Sequence, residues 1–227
     1  NNLVDDIEKH PLQDATVGIG HTRWATNGVP SDTNSHPHTS EDGRIALIHN
    51  GIIENAPQLK FELQSEGYHF ASSTDTEVAA KLLGKIQDQI ISEEGQPDLF
   101  KAIRRTARMV TGTFTLLAVD VRQPDIVVGA RHDSPLVVGI GDGENFLGSD
   151  VAAFVAYTKK ALELGQDEAV MISADAVTVT DFDGNPAQPK EYTVDWDMSA
   201  SEKGGWDSFM DKEIHEEPAS VQNTLLG

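Results

Sequence analysis

Apolar residues follow two textures along the chain, helical spacing in the first half and alternation or short runs in the second. Leu3, Val4 and Ile7 share one stripe between Asn1 and His10, and Pro11 ends it. Val17 and Ile19 alternate with glycines across Thr16 to Trp24, a strand pattern that carries Arg23 and Trp24 into a polar loop, Ala25 to Ser40, broken by Gly28, Pro30 and Pro37. Arg44 to His49 holds the run Ile45-Ala46-Leu47-Ile48, a buried strand that ends at Asn50-Gly51. Asn55 and Pro57 open a helix with Leu59 and Leu63 that Gly67 closes, and Tyr68 to Ala71 reads as a short strand. Thr74-Asp75-Thr76-Glu77 fits a capping box, and Val78, Leu82, Ile86 and Ile90, with Leu83 beside them, continue the helix it opens toward Gly95. A second helix with Leu99, Phe100, Ile103 and Ala107 starts near Asp98 and ends before Gly112.

From Thr113 the pattern turns to strands: Phe114 to Val121, Ile126 to Ala130, Leu136 to Ile140 and Asn145 to Gly148, parted by turn residues. Ser149-Asp150 caps a short helix through Val155. Ala161 to Leu164, Ala169 to Ser173 and Val177 to Phe182 extend the antiparallel texture. A tail from Asn185 has a flexible point at Gly204-Gly205, and Phe209, Met210 and Ile214 there form one or two helical turns. Strands early and late with helices between them predict an α+β fold, sheet packed on sheet with helices outside.

Composition narrows the function. The 227 residues suit one domain plus a tail. A net charge of -20 repels phosphate backbones, so no nucleic-acid partner is expected; Arg104, Arg105 and Arg108 read as a solvated helix face. No apolar run approaches a membrane span, so no membrane partner is expected and the location is taken as cytoplasmic. There are no cysteines, which excludes disulfides and any thiol nucleophile within these residues.

Three short segments carry the candidate chemistry. An α-amino acid needs a guanidinium for its carboxylate and a carboxylate for its ammonium, and Arg23 and Asp75 offer that pair. If the ligand carries an amide to be cleaved, Asn50 and Gly51 offer an amide group and a backbone N–H to a tetrahedral oxyanion. Taken singly, each has a plainer account. Asn-Gly is the commonest hairpin turn, and a carboxylate at Asp75 suits the positive end of a helix. His36 and His38, with His21 nearby, read as hydrogen-bonded loop histidines, so no metal is expected, and no cofactor is implied.

His21-Thr22-Arg23-Trp24-Ala25-Thr26-Asn27-Gly28, His36-Pro37-His38, His49-Asn50-Gly51-Ile52-Ile53-Glu54-Asn55 and Thr74-Asp75-Thr76-Glu77 together resemble the glutaminase domain of the glucosamine-6-phosphate synthase family, class II glutamine amidotransferases. Ser134-Pro135-Leu136, Gly141-Asp142-Gly143 and Lys212-Glu213-Ile214 extend the likeness over nearly the whole chain. The resemblance implies an N-terminal-nucleophile hydrolase fold, a four-layer α/β/β/α sandwich. It implies an amidotransferase domain over residues 1–190 that lacks its N-terminal segment, and a tail over 191–227 leading toward sugar isomerase domains. It further implies hydrolysis of L-glutamine to glutamate and ammonia, the ammonia converting fructose 6-phosphate to glucosamine 6-phosphate in the full-length enzyme. Arg23 would fork the glutamine carboxylate, Asp75 would hold its ammonium, and Thr26 would add a contact. Asn50 and Gly51 would form the oxyanion hole, and Trp24 would sit in a loop closing over glutamine. A homodimer is one assembly open to such an enzyme.

Two departures accompany the match. The family usually has histidine where this chain has Asn27, and its first residue is a cysteine nucleophile whereas this chain begins with Asn1. The chain by itself is therefore expected to lack glutaminase activity. The alternative is a noncatalytic glutamine-binding module that keeps the pocket without the nucleophile.

Overall fold

A computed structural model describes residues 2–11, 15–195 and 205–226. Asn1 and Gly204 of the expected flexible pair lie outside them. The first helix, α1 (Asn2–Lys9), forms where the spacing placed it and stops before Pro11.

Two antiparallel sheets make the body. The larger runs β1-β2-β3-β4-β8-β9, with β1 at His38–Thr39, β2 at Ile45–Ile53, β3 at Gly112–Asp120, β4 at Val127–His132, β8 at Glu168–Ile172 and β9 at Val177–Asp181. The smaller runs β10-β7-β5-β6, with β5 at Val137–Ile140, β6 at Asn145–Gly148, β7 at Lys160–Glu163 and β10 at Lys190–Thr193. Three helices, α2 (Ala56–Ser65), α3 (Asp75–Glu94) and α4 (Leu99–Ala107), cover one face of the larger sheet.

Strand alternation sorts side chains into the layers. On β2 and β3, Ile45, Leu47, Phe114, Leu116 and Ala118 meet Val78, Leu82, Leu83, Ile86, Leu99 and Ile103 of the helices. The opposite face joins Leu136, Val138, Leu164, Val170, Ile172 and Val179 between the sheets. Beyond the smaller sheet, Val151, Phe154 and Val155 pack on Val137 and Ala161 and complete the fourth layer. The order is the expected one, helices, sheet, sheet, outer layer. The outer layer is a three-residue 3-10 helix, Val151–Ala153, capped by Asp150 as expected from Ser149-Asp150 (Ala152 N–H to Asp150 Oδ1, 2.7 Å) but followed by turns instead of running on as a helix through Val155.

Several expectations are corrected. Thr16 to Trp24 is in no strand among the described residues, although its alternation suits one; a strand exists only where a neighbour takes up its backbone groups. Tyr68 to Ala71 is likewise not a strand: it follows the close of α2, where the Tyr68 N–H donates to Leu63 O at 3.1 Å. The strand through Ile45 does not end at His49. It runs to Ile53, and Asn50-Gly51 pairs across to Thr115 and Phe114 instead of turning. Asn55 precedes α2 without a side-chain cap bond, because its amide bridges Met109 O (2.8 Å) and Thr111 N (3.0 Å). In the tail, β10 joins the smaller sheet against β7, and α5 (Phe209–Leu226) is far longer than two turns, with Pro218 inside it. Among the described residues no helix is long and apolar enough to cross a membrane.

Candidate active site

The first turn of α3 is set by its cap. Thr74 Oγ1 accepts from Glu77 N at 3.2 Å, as the capping pattern requires. Glu77 does not reach back to Thr74; its carboxylate accepts from Ala71 N (3.0 Å), Ser72 N (2.7 Å) and Ser72 Oγ (2.7 Å). Burial alone would raise the Glu77 pKa, but these bonds outweigh it and hold the carboxyl below its ordinary 4.5. A depressed carboxyl stabilises the fold fully above pH 4.5, and that contribution is lost as pH falls through the folded value. Glu77→Ala is expected to cost about 2–3 kcal/mol at pH 7, read as a shift of the urea midpoint, with the gap to wild type closing in acid.

That turn lies against the end of β2. Asp75, 7% exposed, accepts from the Ile53 N–H through Oδ2 at 2.8 Å. His49 Nδ1 is 3.1 Å from Thr76 Oγ1 and 3.9 Å from Asp75 Oδ1. Burial pulls the His49 pKa down to about 4 against the opposing pull of Asp75, so the ring is neutral at pH 7. Alternation sends His49 to the helix side of the sheet and Asn50 to the other. Gly51 has φ 133, and a Cβ there would fall 2.0 Å from Thr113 O, so the β2–β3 register depends on a glycine at this point.

The loop closes the third side. Asn34, buried at the end of a 3-10 turn at Asp32–Asn34, donates to Val29 O (2.9 Å) and accepts from Ser73 N (3.1 Å), tying the loop to the α2–α3 connection. Arg23 adopts φ 41, and its Nη2 donates to Asn27 O (2.5 Å) and Gly28 O (3.0 Å). Nε and Nη1 make no hydrogen bond among the described residues; because Nη2 belongs to both bidentate edges of the guanidinium, they offer a carboxylate single N–H contacts while Nη2 stays on the loop. His21 Nδ1 accepts from Arg23 N at 2.9 Å and lies 3.1 Å from His36 Nδ1. Burial, then the neighbouring His21, pushes the His36 pKa down to about 3, so these rings add no charge near the guanidinium at pH 7. No group of three or more His, Cys, Asp or Glu side chains is placed to hold a metal among the described residues.

All six residues singled out in the sequence, Arg23, Trp24, Thr26, Asn50, Gly51 and Asp75, line one cavity of about 360 Å³. Trp24 stands 91% exposed at its mouth. A guanidinium and a buried carboxylate lining one cavity suit a small zwitterion, and an amide and a backbone N–H line it with them. Glu54, His49 and Thr76, which lie in the quoted segments without an assigned role, line the same cavity, as does Thr113, which was not anticipated. Thr113 reaches it only through its pairing with Ile52, which no local pattern announces. A larger cavity of about 800 Å³ between the sheets, lined by Val17, Ile19, Ile48, Leu117 and Phe146, has only acidic charges, Asp125, Glu144 and Asp175, and nothing to hold a carboxylate.

Known proteins resemble this chain. The family model of a glutamine amidotransferase domain matches residues 21–156. Glutamine–fructose-6-phosphate aminotransferase (isomerizing) of Corynebacterium efficiens is 54% identical over 99% of this chain and 36% of its own length. The protein of that name from Streptomyces coelicolor is 53% identical over 100% of this chain and 36% of its own. The chain thus spans about a third of the curated relatives it matches. Among solved structures, the glutamine phosphoribosylpyrophosphate amidotransferase from B. subtilis, complexed with ADP and GMP, superposes with a TM-score of 0.56 at 27% identity, covering 73% of this chain and 35% of that one. The matched stretch contains the arginine loop, the Asn-Gly pair on β2 and the capped aspartate, and with that agreement the chain belongs to the glutamine amidotransferase domain family.

Proposed function

We propose that the cavity binds L-glutamine, its carboxylate on Arg23, its ammonium on Asp75 and its side-chain amide beside Asn50 and Gly51. Thr26 adds a polar contact, and Trp24, on the exposed loop, covers the bound amino acid. The observation that carries this reading is the meeting of opposite charges and oxyanion donors in one cavity of about 360 Å³. Hydrolysis to glutamate and ammonia then needs a nucleophile. Class II chemistry uses a cysteine thiol with an α-amino base, and the 227 residues contain no cysteine.

By likeness to the aminotransferases above, the ammonia is used to convert fructose 6-phosphate to glucosamine 6-phosphate. In the same scheme residues 1–190 form the amidotransferase domain, and residues 191–227 lead toward sugar isomerase domains.

A chain extended at its N-terminus by a cysteine-led segment is expected to release glutamate from glutamine. Absence of glutamate would sink the proposal. Arg23→Lys keeps the charge but loses the planar guanidinium that bonds the loop through Nη2 while offering Nε and Nη1 to the ligand, and should raise KM for glutamine about tenfold in that assay.

A further inference from the structure

His49 takes no part in the chemistry above, yet its contacts are with the turn that holds the ammonium site. It sits on β2 one residue before Asn50 and is 3% exposed, with Nδ1 toward Thr76 Oγ1 at 3.1 Å and Asp75 Oδ1 at 3.9 Å. Nε2 is buried with no hydrogen-bond partner among the described residues. A neutral imidazole has one N–H, and both oxygens near the ring face Nδ1, so the network places the proton there. The other assignment would bury an orphaned N–H, which proteins avoid more strictly than an unused acceptor.

The consequence falls on Asp75. Oδ2 is fixed by the Ile53 N–H at 2.8 Å, whereas Oδ1 takes no hydrogen bond among the described residues and has His49 Nδ1 at 3.9 Å, beyond hydrogen-bond distance. Because Nδ1–H is committed to Thr76, the ring occupies the space next to Oδ1 without saturating it. A charged imidazolium in the same place would pair with the carboxylate and repel a cation.

We propose that His49 is a positioning residue: tied to Thr76, it fixes the Asp75 carboxylate and keeps Oδ1 open for the α-ammonium of the bound amino acid. The inference rests on the glutamine reading of the cavity. It concerns binding of the ammonium and leaves the oxyanion donors unaffected.

Two ligands separate this role from a general structural one: L-glutamine, and 4-carbamoylbutanoate, which keeps the amide and the carboxylate but has no α-amino group. In calorimetric titrations of the full chain, wild type is expected to prefer glutamine. His49→Phe keeps a ring and loses Nδ1; it should weaken glutamine about tenfold, the worth of one buried polar contact, and leave 4-carbamoylbutanoate unchanged. His49→Gln, whose amide reaches toward Thr76, should recover most of the loss. Thr76→Val removes the tether from the other side and should repeat the His49→Phe result, and it carries the test alone if thermal melts show that His49→Phe does not fold. Equal weakening of both ligands, or none for glutamine, overturns the role of His49. A wild-type chain that binds both ligands alike overturns instead the assignment of Asp75 on which it depends.

Discussion

Gly51→Ala should remove glutamine hydrolysis by a factor on the order of 100–1,000 in kcat, the scale of one lost oxyanion donor, and should lower stability as well. The methyl group has nowhere to go. Its Cβ would lie 2.0 Å from Thr113 O and 2.9 Å from Phe114 Cα, both backbone atoms of the paired strand β3, which cannot rotate aside as a side chain would. The φ of 133 adds a second cost, because an L side chain rarely adopts that conformation. Overpacking costs about 1–3 kcal/mol, and the strained backbone adds roughly 1–2 kcal/mol more. Relief is available only by moving Gly51 away from β3, which turns its N–H and the neighbouring Asn50 amide out of the cavity. Urea melts and glutaminase rates on the cysteine-led chain measure both effects. A variant with an unchanged melting profile and a wild-type rate would remove Gly51 from the oxyanion hole and show that the β2–β3 register can slip.

The same position shows what a sequence can and cannot disclose. The α3 helix was legible because its signals are local: a threonine cap, a glutamate three residues on, and apolar residues at four-residue spacing. The charge pair was legible from chemistry alone, since few residue types can hold a zwitterion. Asn50-Gly51 was ambiguous because a dipeptide carries a turn propensity whatever its surroundings, and the outcome was decided by pairing with Thr115 and Phe114 on a strand more than sixty positions later. Thr16 to Trp24 erred the other way, since its alternation is local but a strand needs a neighbour. Thr113 had no readable signal, and His49, though inside a quoted segment, had none for its role. Their place in the cavity follows from register and from the packing of β2 on the first turn of α3.

Asp75→Asn should raise KM for glutamine about 100-fold while kcat at saturation stays within a fewfold, because the ammonium we assign to it is remote from the amide that reacts. The substitution is conservative in shape. An asparagine carbonyl can still accept from the Ile53 N–H, so the turn that positions α3 is kept and the loss is one of charge. A buried carboxylate facing a desolvated ammonium is worth about 2–5 kcal/mol when one partner is removed, which sets the expected factor. Glu54 supplies the control. It lines the same cavity but is exposed to solvent, where water screens a like interaction to about 1 kcal/mol or less. Glu54→Gln should therefore change KM only a fewfold. If it weakens glutamine more than Asp75→Asn does, the ammonium sits at the rim, and the geometry around His49, Thr76 and Ile53 serves the fold alone. The opposite ranking, with kcat preserved in both variants, places the ammonium on the first turn of α3.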